Sequence, residues 1–379
     1  MDKEKCLRAI AGLRKFVRAL DQAGVRDKAG YREWRKDHEK FMEQCFGYER
    51  LDKMPSVTSV VTVFFHPALP LIGLNYTPVA HNTLHAFPSG WTPALRLCRG
   101  VVFDREGELV AKPFEKFFNY GEHPETRELP NEPFTATTKH DGHLGIIFEY
   151  GGAWHITTRG DFMSRTSRLG AGMLRRYAKS GRWDDKLPCG DNLLVEIIHP
   201  ETKVHLRYRG ARFILIGACE RDTLRDFDHP ALVKLGKTIG LPVTERWSGD
   251  SIRDLVALTH DLSVRNREGF VVRFESGLRV KFKFASYINL MVEGKLSVPY
   301  VMNRLLAGNL DKMIMNLPEE VYAEAADMAE AVLSVRKMPG TEKERRQYLY
   351  GLVPPDKSTP YYRGICRKLL KKLDAAEAS

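Results

Sequence analysis

The chain has 379 residues, with 59 lysines and arginines against 48 aspartates and glutamates, a formal net charge of +11 at pH 7. That length suggests two domains with ample apolar sequence for a core, and the positive balance points to an anionic partner: nucleic acid first, an acidic membrane surface second, with a basic enzyme whose charge serves solubility as the plain alternative. The longest apolar run, 60–65 with Thr62 inside it, is too short to span a bilayer, and Met1-Asp2-Lys3-Glu4-Lys5 leads into an amphipathic pattern rather than a signal peptide's apolar core, so a cytoplasmic location without a membrane partner is expected.

Residues 2–24 place Leu7, Ile10, Leu13, Phe16, Val17 and Leu20 at helical spacing, and Gly24 stops the pattern. A second, charged helix is predicted over 31–45. Over 57–65 the character turns to β, with Val57, Val60, Val61, Val63, Phe64 and Phe65 branched or aromatic and His66-Pro67 ending the run. Residues 66–93, rich in Pro, Gly and Asn, read as an irregular excursion. A hairpin follows over 97–103 and 109–113, turned by Asp104-Arg105-Glu106-Gly107. Short strands then alternate with turns at 134–138, 144–149, 153–158, 193–198, 213–218, 269–274 and 278–284. Helices interrupt them near 166–179, 229–239 and 250–260. This is an α+β pattern with an antiparallel core, not the βαβ rhythm of a doubly wound sheet. After Ser286 strands largely cease: 286–294, 298–307, 319–337 and 360–374 read as helices, and Thr341-x-x-Glu344 supplies a capping box for one near 342–350. The predicted organisation is a first domain over 1–290, with a helical extension at about 1–50, and an all-helical domain over 291–379. The six cysteines (Cys6, Cys45, Cys98, Cys189, Cys219, Cys366) are scattered without a C-x-x-C pair and read as reduced thiols.

Several common sites are missing. There is no G-x-x-x-x-G-K-[ST], no H-E-x-x-H and no G-x-S-x-G, and Gly170-Ala171-Gly172 lacks the third glycine of a dinucleotide loop. What is present is a dispersed set of charges at strand positions. In Thr138-Lys139-His140-Asp141-Gly142-His143, side chains two apart in an extended segment leave one face, so Lys139 and Asp141 are expected to point into one site. Gly142 lets a ligand or another strand approach; a surface turn is the competing reading. Leu193-Leu194-Val195-Glu196-Ile197-Ile198 sets one carboxylate inside an apolar strand, as a site residue or as an arginine's buried partner. Glu268-Gly269-Phe270-Val271-Val272 sets another at a strand's start. Val280-Lys281-Phe282-Lys283-Phe284 sends both amines to one face and the apolar residues to the other, which also describes a solvated amphipathic strand. Together, Asp141, Glu196 and Glu268 are candidates to hold Mg²⁺ largely through water. Lys281 and Lys283 are candidates to bind a triphosphate. Lys139 would be the nucleophile, its pKa depressed from about 10.4 by the neighbouring cations.

The ordered series Lys139-His140-Asp141-Gly142, Glu196 within its apolar strand, Glu268-Gly269-Phe270-Val271-Val272 and Lys281-Phe282-Lys283 resembles motifs I, III, IV and V of the covalent nucleotidyltransferases, the polynucleotide ligases and RNA-capping enzymes. Cys98-Arg99-Gly100-Val101-Val102-Phe103, followed by Lys112-Pro113-Phe114-Glu115-Lys116-Phe117-Phe118-Asn119, resembles the segment before motif I in phage type 1 RNA ligases and fungal tRNA ligases, and Thr158-Arg159-Gly160 the strand after it. The resemblance covers roughly 95–285. It implies an antiparallel, ATP-grasp-like nucleotidyltransferase core and an ATP-dependent RNA ligase that works through lysyl-AMP and RNA-adenylate intermediates. In that scheme Lys139 attacks the α-phosphate of ATP, AMP moves to an RNA 5′-phosphate, and a 3′-hydroxyl displaces AMP. Mg²⁺, or Mn²⁺, would assist, with Asp141, Glu196 and Glu268 on the metal or ribose side. Lys281 and Lys283 would contact the α-phosphate and pyrophosphate; Thr138, Asp141 and Gly142 would shape the nucleotide loop; Arg99, Lys116 and Arg159 would contact triphosphate or ribose. A DNA ligase of the same superfamily and a non-catalytic RNA-end-binding protein are the alternatives. The helical segment after motif V, where DNA ligases and capping enzymes carry a β-rich domain, favours the RNA-ligase branch. With no kinase or phosphatase segment, the expected substrates are ends already bearing 5′-phosphate and 3′-hydroxyl, as in RNA or tRNA repair. Arg363, Arg367, Lys368, Lys371 and Lys372 on the last helix would grip phosphates or form a solvated face. Oligomeric state is left open, with a monomer the default expectation.

Overall fold

The computed structural model describes residues 3–87, 89–178, 183, 191–293, 296–314, 317, 321–353 and 358–377. Cys189, residue 179 of one predicted helix, and 294 and 319–320 of two others lie outside the described residues. The chain divides into two units, Met1–Phe284 and Ala285–Ser379.

The first unit mixes helices with twelve strands among the described residues: β1 (Val61–Phe65), β2 (Leu71–Tyr76), β3 (Arg99–Asp104), β4 (Leu109–Ala111), β5 (Phe118–Asn119), β6 (Phe134–Lys139), β7 (His143–Tyr150), β8 (Ala153–Thr158), β9 (Asn192–Ile198), β10 (Arg212–Cys219), β11 (Gly269–Phe274) and β12 (Arg279–Lys283). They form three four-stranded sheets, ordered β1-β2-β3-β4, β10-β9-β7-β8 and β5-β12-β11-β6. Every named pairing is antiparallel except the short parallel match of β5 with β12.

The N-terminal helix, Lys3–Gln22, buries Leu13, Phe16, Val17 and Leu20 completely. Each such side chain contributes about 1.5–3 kcal/mol before entropy is charged. On the same helix Arg14 and Arg18 donate from Nε to the carbonyls of Gly107 and Glu106 at 3.0 and 2.6 Å, which ties the β3–β4 turn to it. The single helix expected over 31–45 is two, Lys28–Trp34 and Glu39–Phe46. They part where His38 stacks on Trp34 at 4.0 Å and sets Nδ1 2.7 Å from the Trp34 carbonyl, so a side chain replaces the next helical backbone bond. Of the β run over 57–65, Val57–Val60 is a helical turn whose Ser56 cap accepts from the Thr58 N–H, and only Val61–Phe65 is strand. The excursion over 66–93 contains β2, buried along its whole length. Its Gly73 and Asn75 hid it from pattern reading. Gly73 is where the Phe64 ring lies: a Cβ there would sit 2.1 Å from Phe64 Cζ.

Among the described residues the second unit is helical, with helices Ala285–Val292, Val298–Leu306, Leu310–Ile314, Tyr322–Leu333, Glu342–Gly351 and Pro360–Glu377. Tyr362, Ile365, Cys366, Leu369, Leu370 and Leu373 of the last helix are buried with Met302, Val332 and Leu349. Thr341 and Glu344 cap each other's backbone as a capping box. No helix among the described residues is long and apolar enough to cross a membrane.

Candidate active site

Three neighbouring strands set the charged residues in rows. Gly269 of β11 is in register with Lys139 of β6 on one side and Lys283 of β12 on the other; two residues along, Val271 lies between Thr137 and Lys281, and two further, Arg273 lies between Thr135 and Arg279. The two-residue period puts all of these on one face. Ala136, Phe270, Val272, Val280 and Phe282 take the other face and are buried. The charged face lines a cavity of about 920 Å³, whose other walls include Asn75, Arg99, Leu144, Arg159, Glu196 and Ile216.

Lys139 closes β6 and its Nζ lies 2.5 Å from Glu268 Oε1. Burial by itself would lower the pKa of this ammonium, but Glu268, Glu196 and Asp141 outweigh it and the pKa is raised. The expectation of a depressed pKa is thus overturned: the groups that dominate around Lys139 are carboxylates, not Lys281 and Lys283. Burial in turn pushes Glu268 up, against the pull of Lys139. Glu196 Oε1 accepts the Gly142 N–H at 3.1 Å, and burial pushes its carboxyl up to about 7 despite Lys139 and Arg99.

Asp141 departs from its expected role. Once β6 ends at Lys139 the chain bends, the two-residue alternation stops, and the Asp141 side chain does not line the cavity. Its Oδ2 accepts the backbone N–H groups of His205 and Leu206 at 2.8 and 2.5 Å, while its own N–H donates to the Tyr208 hydroxyl at 2.9 Å. It is a brace between the lysine turn and the 199–211 loop. Gly142 is approached by a strand: a Cβ there would lie 2.6 Å from the Ile197 carbonyl oxygen and 3.0 Å from Glu196 Cγ. Gly142→Ala is expected to cost about 1–3 kcal/mol by overpacking against a backbone that cannot yield, read as a fall in thermal midpoint.

Thr138 lines the cavity with its backbone fixed, its N–H donating to Glu245 O at 2.9 Å and its carbonyl accepting from Thr244 Oγ1 at 2.7 Å. Arg99 and Arg159 also line it; Arg159 donates to the Tyr76 hydroxyl at 2.9 Å, and Arg99 lies over Phe117 at 5.4 Å. Lys116 does not line it. Its ammonium lies over the rings of Phe118, Trp91 and Tyr76 at 4.9, 5.4 and 5.9 Å, with Nζ 3.5 Å from His81 Nδ1. The aromatic side chains around it draw it into a second hollow of about 450 Å³. His140 is buried, which lowers its pKa, and stands 3.7 Å from Glu245.

Sequence reasoning missed Asn75, His229, Arg246, Arg273 and Arg279, which line the cavity. Arg273 and Arg279 share the strand parity of Val271, Lys281 and Lys283, and that parity was a usable signal. Asn75 and His229 offered none. Behind Arg279 lies a buried ion cluster: Asp226 is paired with Arg279 at 2.8 Å and Lys112 at 3.2 Å. Burial would raise the Asp226 pKa, but the two cations win and hold it at about 2.

A half-buried lysine held by carboxylates, flanked on its own sheet by two more lysines and faced by arginines, has the charge make-up that suits a phosphorylated ligand. A family model described as RNA ligase matches residues 97–287, about half of the sequence, and the chain belongs to that family. A Thermovibrio ammonificans protein named "Putative RNA ligase" is 34% identical over 128 residues, covering 33% of this chain and 34% of that protein. The chain thus matches about a third of that relative's length. Among solved structures, a lysine-to-alanine mutant of Naegleria gruberi RNA ligase with ATP and Mn is 16% identical with a TM-score of 0.35, covering 41% of this chain and 50% of that one. The same ligase with PPi is 15% identical with a TM-score of 0.34, covering 42% of this chain and 51% of that one.

Proposed function

We propose that this protein is an ATP-dependent RNA ligase of the covalent nucleotidyltransferase superfamily, with the nucleotidyltransferase core in the first unit and an appended helical module. The carrying observation is Lys139, half-buried and paired with the buried Glu268 in a cavity that Lys281, Lys283, Arg99 and Arg159 also line. In this reading the ammonium gives up a proton, for which the Glu268 carboxylate at 2.5 Å is the nearest acceptor. The amine then attacks the α-phosphorus of ATP: the N–P bond forms and the P–O bond to pyrophosphate breaks. Lys281 and Lys283 balance the charge on the phosphoryl group and leaving pyrophosphate. Ile216 and Val271 offer aliphatic walls to the base. AMP passes to an RNA 5′-phosphate, and a 3′-hydroxyl displaces it to seal the strand.

The donor set suits a hydrated divalent cation. With Asp141 engaged elsewhere, Glu196 and Glu268 are the two carboxylates left from the expected metal set, and no cluster of three ligand side chains occurs among the described residues. Mg²⁺ or Mn²⁺ would therefore be held by Glu196 and Glu268 with water and phosphate oxygens, and would supply charge neutralisation on the triphosphate. Repair of broken RNA, tRNA included, in the cytoplasm is the setting this chemistry fits.

Incubation with ATP labelled on the α-phosphate and Mg²⁺, followed by a denaturing gel, should give labelled protein, and Lys139→Ala should remove the label. Absence of label from the parent protein, or its persistence in Lys139→Ala, would overturn the reading. Sealing of single-stranded RNA in preference to nicked DNA separates it from a DNA ligase.

A further inference from the structure

The loop at 199–211, between β9 and β10, carries a charge pattern the nucleotide site does not use. Between positions 203 and 209 it presents Lys203, Arg207 and Arg209, all exposed. The loop's one carboxylate, Glu201, is bound by Arg165 at 2.7 Å, so it does not neutralise them. None of the three cations forms a side-chain ion pair among the described residues. Alternate positions turn inward: Leu206 is buried and Tyr208 half-buried, and these residues fasten the loop to the lysine turn. Asp141 takes the His205 and Leu206 N–H groups, Tyr208 takes the Asp141 N–H, and His143 Nε2 lies 2.9 Å from the Thr202 carbonyl. One edge of the loop is therefore fixed to the segment that carries Lys139, and the other is a row of unneutralised cations. Asp141, whose carboxylate was expected to serve a metal, is spent on holding this row in place.

We propose that Lys203, Arg207 and Arg209 form the docking edge for the phosphate backbone of the RNA strand whose 5′-phosphate end enters the cavity beside Lys139. This rests on the ligase reading and deepens it by naming where the 5′-phosphate strand lies. A row of cations suits successive phosphates of one strand better than a single small anion, which would need convergent donors. Placing the row on a loop braced to the lysine turn gives a docked strand a fixed register relative to the nucleophile.

The test uses the full chain and a 5′-phosphorylated single-stranded oligoribonucleotide, with affinity measured across a salt series. Three lost phosphate contacts should lower the magnitude of the log–log salt slope by about 2 in the triple variant Lys203→Ala, Arg207→Ala, Arg209→Ala, and weaken binding about a hundred-fold at 0.1 M salt. Lys139 labelling by ATP alone, and the melting temperature, should be retained. Arg207→Glu alone should weaken RNA binding while retaining ATP-only labelling. Unchanged affinity and slope would overturn the proposal, as would a fall in ATP-only labelling in step with RNA binding, which would mean the loop merely props Asp141. A parent protein that binds RNA through this edge yet takes no label from ATP would leave the edge standing and sink the ligase reading instead.

Discussion

Asp226→Ala is expected to destabilise the first unit by about 3–5 kcal/mol, the usual cost of stripping one member from a buried charge cluster. Lys112 and Arg279 are 4% and 9% exposed at their side chains, and both spend their charge on this one carboxylate. Its removal leaves two buried cations facing one another without a counter-ion among the described residues, while Arg279 keeps its stacking on Phe114 at 4.2 Å. Lys112→Met should cost less, because Asp226 retains Arg279 and a cation is removed rather than orphaned. The acid limb follows from the same pairing. With a folded-state pKa of about 2 against an ordinary 3.8, Asp226 binds its proton less readily folded than unfolded. Its contribution is present above pH 3.8 and is lost as pH falls toward 2. Urea unfolding at neutral pH and at about pH 3 should show the difference between parent and Asp226→Ala narrowing in acid. An equal gap at both pH values would mean the cluster acts through packing and not through charge.

What the sequence disclosed depended on whether a residue's role lay in its own strand. Lys281 and Lys283 declared their face because Val280, Phe282 and Phe284 alternate with them, and β11 and β12 follow the same period. The strand β2 did not, since its two-sided burial leaves no alternation and Gly73 answers a ring from a neighbouring strand. Asp141 was misplaced for a related reason: the two-residue rule holds only while the chain stays extended, and it bends directly after Lys139. Lys116 sits in a motif that reads as a phosphate contact, yet its surroundings are aromatic rings from distant segments that no local pattern announces. The Asp226 cluster joins residues 112, 226 and 279, and only the fold brings them together.

Glu268→Gln is expected to do two separable things to Lys139. In the parent protein, three carboxylates hold the lysine protonated against the effect of burial, and Glu268 is the largest of them, acting both by charge and by direct hydrogen bond. If Lys139 is the proposed site of adenylation, the rate of its labelling by ATP should accordingly rise with pH as the ammonium loses its proton. Replacing Glu268 by a neutral amide removes the main force raising that pKa and leaves burial, which lowers it. The rate–pH profile should shift toward acid. At the same time the nearest proton acceptor is gone, so the maximal rate should fall by about 10²–10⁴-fold. Glu196→Gln provides the contrast. Its carboxyl titrates at about 7, raised from 4.5 by burial, so the folded protein holds that proton more tightly than the unfolded chain. The resulting stabilisation is present below pH 4.5 and lost as pH rises through about 7, and Glu196→Gln should flatten this dependence across that window. Single-turnover labelling across pH, with thermal melts in parallel, reads both effects. A Glu268→Gln profile that keeps the parent's midpoint would show that Glu268 is not what holds the proton on Lys139. Under the proposed reaction, activation of Lys139 would then have to come from the nucleotide's own arrival in the cavity.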